Sequence, residues 1–188
     1  MEAIVSPQLL LIAGTGRNTG KTTLACHIIR KFSAVWPIIA IKITPHFHEE
    51  SQSGKILINK TNLFISEEAN PATDKDSSRM LAAGAQMVYF VITGDEHLVE
   101  AYNEILKMLP KNALIICESG GLRHKLVPGL FFMMTGKESE ITKPATQKLM
   151  LLADRQIIFD GEKINFDIDT IEIVNNQWTF KKPQNDII

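Results

Sequence analysis

Two cysteines in 188 residues, Cys26 and Cys117, are all the thiol chemistry this chain has, and both stand in apolar stretches far apart. That spacing argues against a disulfide framework or a thiolate metal cluster and for reduced core thiols in a cytoplasmic protein. Charge of one sign is missing too, because 20 Lys and Arg against 21 Asp and Glu leave a net charge of −1. Such a balance gives no footprint for nucleic-acid binding or for a membrane surface. No apolar run approaches the ~18 residues that a bilayer crossing needs. The first residues, with Glu2 ahead of a strand-like run, do not read as a signal peptide. There is no internal repeat and no low-complexity linker, so residues 1–188 are read as a single domain. A chain of that length buries about 70% of its unfolded surface.

What the chain does have is alternation of strand-like and helix-like segments. Apolar runs at 8–13, 38–43, 87–92, 113–117, 130–134 and 156–159 read as strands. Helical patterns fall between them at 20–34, 74–84, 95–109 and 143–153, with Asp74 as an N-cap and Gly84 as a stop for the second. Nearly continuous apolar strands separated by helices predict a mainly parallel sheet covered on both faces, an α/β fold. Two regions break the rhythm. Residues 45–73 hold two short β-like pieces, 55–59 and 62–66, that predict a hairpin insert. At the other end, 171–174 and 177–180 flank Asn175-Asn176, a two-residue turn signal for a C-terminal β-hairpin.

The most informative stretch is Gly14-Thr15-Gly16-Arg17-Asn18-Thr19-Gly20-Lys21-Thr22-Thr23, set between the first strand and the first helix. Strand, glycine-rich turn, Gly-Lys-Thr and helix form the pattern of a phosphate-binding loop. Glycines let successive main-chain N–H groups curl round a polyphosphate, and the helix N-terminus adds partial positive charge. In that reading Lys21 reaches the β- and γ-phosphates, and the Thr22 hydroxyl ligates Mg²⁺. The match to G-x-x-x-x-G-K-[ST] is imperfect, since Thr15 stands where the pattern has its first glycine.

A carboxylate at the end of a neighbouring strand would complete the Mg²⁺ shell. Ala113-Leu114-Ile115-Ile116-Cys117 delivers Glu118 to such an end, followed by Ser119-Gly120-Gly121. In open α/β sheets ligands gather beyond the carboxyl ends of the strands, so Glu118 and the glycine-rich turn can converge. Lys42 interrupts another apolar strand and must find an anion or reach solvent. If its strand neighbours the first, it faces the γ-phosphate or an anionic substrate; otherwise it snorkels from an edge strand. Asp76 starts a helix, where capping its N–H groups is the favoured reading and an approach to Mg²⁺ or its water the other.

These residues resemble a known group. Gly14 to Thr22, Ala40-Ile41-Lys42-Ile43-Thr44-Pro45-His46 and Cys117-Glu118-Ser119-Gly120-Gly121 follow the order seen in the SIMIBI class of P-loop NTPases. Lys75-Asp76-Ser77 and Ala83-Gly84-Ala85 make the chain similar to the molybdopterin-guanine dinucleotide biosynthesis protein B family. The phosphate-loop length and the carboxylate–glycine step also resemble dethiobiotin synthetase. The resemblance covers roughly residues 8–135. It implies a three-layer P-loop NTPase fold and Mg²⁺–nucleoside triphosphate binding, with GTP as nucleotide in the first family and ATP the alternative. Lys21, Thr22 and Glu118 would take the roles given above, in a pathway of cofactor biosynthesis. An ATP-dependent ligase or small-molecule kinase with an anionic substrate, and a GTP-binding adaptor acting through a protein partner, are the rival readings. Gly16 stands where some SIMIBI members carry a signature lysine, so a homodimer remains open without support from that residue.

Other clusters carry less. His46, His48 and Glu49 lie close together but lack further ligands for a metal site. Asn59-Lys60-Thr61-Asn62 ends in Asn where guanine recognition needs Asp. Arg123-His124-Lys125 reads either as a contact for an anionic substrate or as a solvated loop, and Met133 and Met134 read as core.

Overall fold

The structure is a computed structural model and describes residues 4–45, 54–137 and 144–182. The expected alternation is present, as β1 (Ile4–Gly14), α1 (Lys21–Phe32), β2 (Ile38–Thr44), β3 (Lys55–Lys60), β4 (Leu63–Glu67), α2 (Asp76–Ala82) and β5 (Met87–Thr93). There follow α3 (Leu98–Met108), β6 (Leu114–Glu118), β7 (Leu126–Gly136), α4 (Pro144–Leu151), β8 (Arg155–Phe159), β9 (Ile171–Val174) and β10 (Gln177–Phe180). The main sheet has eight strands in the order β3-β4-β5-β2-β6-β1-β7-β8. From β5 to β8 all neighbours pair in parallel, while β4 on β5 and β3 on β4 are antiparallel. The fold is therefore α/β with a mostly parallel mixed sheet, and β9–β10 forms a separate C-terminal hairpin.

Period-two alternation divides the strands between two cores. Leu9, Leu11, Ala13, Ile39, Ile41, Ile115 and Cys117 face α3 and α4, and Leu10, Ile12, Ile38, Ala40, Leu114 and Ile116 face α1 and α2. The same parity sends Lys42 and Glu118, one step beyond Ile41 and Cys117, to the α1–α2 side. The two residues pair directly in the β2–β6 register.

The 55–59 and 62–66 pieces form a hairpin, as expected, and β4 joins β5, so the hairpin extends the edge of the sheet. Asp74 is not the cap of α2; Lys75 precedes its first turn in extended conformation without a side-chain cap. Lastly β2 does not neighbour β1, because β6 lies between them. Lys42 is therefore in the sheet interior and cannot snorkel from an edge.

The C-terminal hairpin turns at Asn175 and Asn176, both left-handed with φ 51° and 59°, as a two-residue turn requires. Its second strand packs against β1 and β7. Pro7 brings no N–H to the β1 ladder, whose register slips between Ser6 and Leu10. Nearby, the Ile115 carbonyl accepts the Trp178 indole N–H at 3.1 Å, and the Trp178 ring meets Phe32 of α1 edge-on at 5.3 Å.

Candidate functional site

The chain leaves β1 at Gly14 and enters α1 at Lys21 through a turn whose left-handed positions are Asn18 (φ 56°) and Gly20 (φ 78°). Thr15 has no positive φ, which explains why a β-branched residue is accepted where the phosphate-loop pattern has glycine. Its N–H bonds the Met134 carbonyl at 3.0 Å, tying the turn to β7. Gly20 has a second constraint. A Cβ there would lie 2.5 Å from Cγ of Phe159, whose ring at the end of β8 packs on the turn. Gly16 is different, since a Cβ there would meet nothing within 4 Å. Gly20→Ala should cost about 2–4 kcal/mol through the strained φ and the collision, and Gly16→Ala under about 0.5 kcal/mol. Urea denaturation midpoints of the two variants measure the contrast.

The turn opens into a cavity of about 870 Å³ at the carboxyl ends of β1, β2 and β6. Gly14, Gly16, Arg17, Asn18, Thr19, Lys21, Thr22 and Thr23 line it, and Lys42, Asp76, Arg79, Glu118 and Phe90 complete its wall. Thr15 and Gly20 shape the turn without lining the space. A second cavity, about 480 Å³, lies near Pro7, Leu109 and Asn176 and has no carboxylate, hydroxyl, thiol or imidazole in its lining.

Four side chains form a closed ring of contacts at the floor of the larger cavity. Thr22 Oγ1 lies 2.9 Å from Asp76 Oδ1 and 2.8 Å from Glu118 Oε2. Lys42 Nζ lies 2.6 Å from Asp76 Oδ2 and pairs with Glu118 Oε1. Each carboxylate thus turns one oxygen to the lysine and the other to the threonine. Glu118 is 2% exposed, so the ring is sheltered from water on its Glu118 side, while Asp76 forms its more open edge. A hydroxyl has one proton and can satisfy only one of the two carboxylates it touches. The remaining oxygen–oxygen contact is what a shared cation relieves. Hydroxyl and carboxylate oxygens are the donors Mg²⁺ takes, usually with one or two carboxylates, waters and substrate phosphates. The residues fit that ion, although among the described residues no three His, Cys, Asp or Glu side chains gather to hold a metal.

Electrostatics separates the two lysines. Burial by itself would lower the Lys42 pKa, but the charges and hydrogen bonds of Glu118 and Asp76 outweigh it and hold Lys42 above its ordinary 10.5. Burial would raise the Asp76 carboxyl, yet the Lys42 charge and hydrogen bonds from Lys42 and Thr22 keep it below its ordinary 3.8. Lys21 goes the other way: burial, aided by the Lys42 charge, lowers it despite Glu118 and Asp76. Its ammonium donates to the Gly16 carbonyl at 2.6 Å and to Thr19 Oγ1 at 3.3 Å, spanning the turn. Lys21 is the under-compensated cation of the pair and stands to gain from an incoming anion.

The fold therefore brings together the turn, Lys21, Thr22, Lys42 and Glu118, all singled out in the sequence. Asp76 joins them, and the capping role favoured for it is overturned because its carboxylate points across to Thr22 and Lys42. Arg123 does not reach the cavity; it donates to the Leu126 carbonyl at 3.2 Å and lies over the Phe131 ring. Lys60 of Asn59-Lys60-Thr61-Asn62 pairs with Glu100 on α3, away from the site. Met133 and Met134 are core, each 0% exposed. His46, His48 and Glu49 lie outside the described residues. Two contributors had gone unnoticed in the sequence. Phe159 gave no signal, while Arg79 stands three residues after Asp76, one helical turn on, and its guanidinium sits 3.4 Å from Thr23 Oγ1.

Comparisons with known protein families, with curated proteins and with solved structures return no match. No helix among the described residues is long and apolar enough to cross a membrane.

Proposed function

We propose that the cavity binds a Mg²⁺–nucleoside triphosphate and hydrolyses it or transfers its terminal phosphoryl group. The observation that carries this reading is the ring of Thr22, Asp76, Glu118 and Lys42 beneath a left-handed turn that ends at a helix N-terminus. Main-chain N–H groups of residues 14–22 and the Lys21 ammonium would hold the phosphate oxygens and stabilise their charge. Thr22, Glu118 and Asp76 would hold Mg²⁺, which when bound neutralises charge developing on the transferred group. Arg79 borders the same space and brings a guanidinium suited to phosphate. The resemblance to the molybdopterin-guanine dinucleotide biosynthesis protein B family supports a place in cofactor biosynthesis and GTP as nucleotide.

One observation favours an acceptor other than water. The cavity continues past Lys42 to Thr44, Pro45 and Phe90, away from the turn, leaving space beside the phosphate-binding end. A dethiobiotin synthetase-like ligase or a small-molecule kinase would use that space for its anionic substrate. A GTP-binding adaptor would instead show slow turnover accelerated by a protein partner. The test is titration calorimetry with ATP, GTP and their non-hydrolysable analogues, with and without Mg²⁺. Binding of one or both triphosphates that strengthens with Mg²⁺ is expected, and absence of triphosphate binding under all conditions overturns the reading.

A further inference from the structure

Lys42 is an unusual residue to find inside a parallel sheet. It lies between β5 and β6, with its side chain 16% exposed, and both oxygen-bearing neighbours it touches belong to the set assigned above to Mg²⁺. We infer that Lys42 is the resident counter-cation of the Asp76–Glu118 pair: it keeps a divalent ion out of the nucleotide-free protein and releases the carboxylates only when a triphosphate arrives. This inference rests on the nucleotide-binding reading of the same cavity.

The argument is one of charge. Asp76 and Glu118 bring two negative charges together, the Lys42 ammonium touches both, and the Arg79 guanidinium lies 3.9 Å from Asp76 Oδ1 on the more exposed side. At each carboxylate one oxygen faces Lys42 and the other Thr22. A divalent ion entering this ring would meet an ammonium within a few ångströms in a sheltered site, where like charges repel strongly. Such an ion on the Thr22-facing oxygens, Asp76 Oδ1 and Glu118 Oε2, also draws carboxylate charge away from the lysine held on Oδ2 and Oε1. Without a further anion, Lys42 would face a divalent ion across two shared carboxylates in a largely buried position. A triphosphate changes the balance. Lys42 lines the cavity, so phosphate oxygens entering from the turn give its ammonium an alternative anion. The carboxylates are then freed as the metal arrives with the nucleotide. Metal and nucleotide affinities become coupled, and by linkage each strengthens the other by the same factor.

The alternative is that Lys42 only balances charge and leaves metal access unaffected. Mn²⁺ distinguishes the two, because its electron paramagnetic resonance signal falls when the ion leaves free solution for a protein site. Nucleotide-free wild-type protein should capture Mn²⁺ at least tenfold more weakly than protein with a non-hydrolysable triphosphate, after correction for Mn²⁺ bound by free nucleotide. Lys42→Met should bind Mn²⁺ at least tenfold more tightly than wild type without nucleotide, and Mn²⁺ should raise its Tm while leaving that of the wild type unchanged. Lys42→Arg retains the charge and should remain as closed to Mn²⁺ as the wild type. Adding Asp76→Asn to Lys42→Met should abolish the gain. Equal Mn²⁺ affinity of the wild type with and without nucleotide overturns the inference, as does a folded Lys42→Met that binds no tighter than wild type. Should Lys42→Met fail to fold, Lys42→Gln, which removes the charge and keeps a polar head, takes its place in the nucleotide-free comparison with wild type. Failure of the wild type to bind any triphosphate would overturn the nucleotide reading instead, and the nucleotide-free Lys42→Met measurement stands apart from it.

Discussion

Lys21→Ala should abolish useful triphosphate binding while leaving the fold intact. The Lys21 ammonium has two partners, the Gly16 carbonyl and Thr19 Oγ1, both within the turn itself. It anchors no other element. Removing it costs the protein little, and Tm should move by no more than about 2 °C. A triphosphate loses far more, since truncating one partner of a sheltered charge pair costs about 2–5 kcal/mol, or roughly thirty- to several-thousand-fold in Kd. Calorimetry on the variant with Mg²⁺ and the preferred nucleotide measures it. Affinity within threefold of wild type would mean that the turn is not where phosphate binds.

Glu118 separates metal chemistry from structure. Glu118→Gln keeps the side chain's shape and one carbonyl oxygen but removes its charge. The Mg²⁺ concentration for half-maximal turnover should rise at least about tenfold, while nucleotide binding without metal changes by less than about threefold. An unchanged Mg²⁺ response would remove Glu118 from the metal's shell. Glu118→Ala tests a different property. It strips Lys42 of its more deeply buried partner, leaving Asp76, which is 37% exposed, to hold the ammonium alone. Losing one member of a buried pair typically costs about 3–5 kcal/mol. Because Asp76 remains, the loss should lie near 3 kcal/mol in chemical denaturation, with Glu118→Gln well below it.

The contrast between these variants also shows how much of the site could be read in advance. Glu118 and Lys42 were legible because period-two alternation fixes the face of every strand residue, and each is a charged residue ending an apolar run. The glycine-rich turn was legible as a turn because its glycines stand between an apolar strand-like run and an apolar-periodic helix. Asp76 was legible as a helix start but not as a partner. A helix-start aspartate has its own N–H groups within reach, and only the packing of α2 beside α1 shows that the carboxylate goes elsewhere. Strand order was not legible. The sequence left the neighbours of β2 open and carries no signal for β6 passing between β1 and β2, the insertion that sets Glu118 directly beside Lys42. The hairpin at 55–66 shows the same limit, since its strands were visible while their docking on β5 depended on a partner distant in sequence.

Phe159 on Gly20 has a consequence for how the turn comes into being. The wall that holds this bend in its left-handed shape belongs to the last strand of the main sheet, which is synthesised long after the bend itself. A fragment ending at Gly136 would contain the glycines, Lys21, Thr22, Lys42, Asp76 and Glu118 and still lack that wall. The bend should therefore settle late in folding, once β8 has docked. Separately expressed pieces cut before residue 155 should regain hydrogen-exchange protection of the Leu24 amide, which donates to the Gly20 carbonyl at 2.9 Å, only after they are mixed.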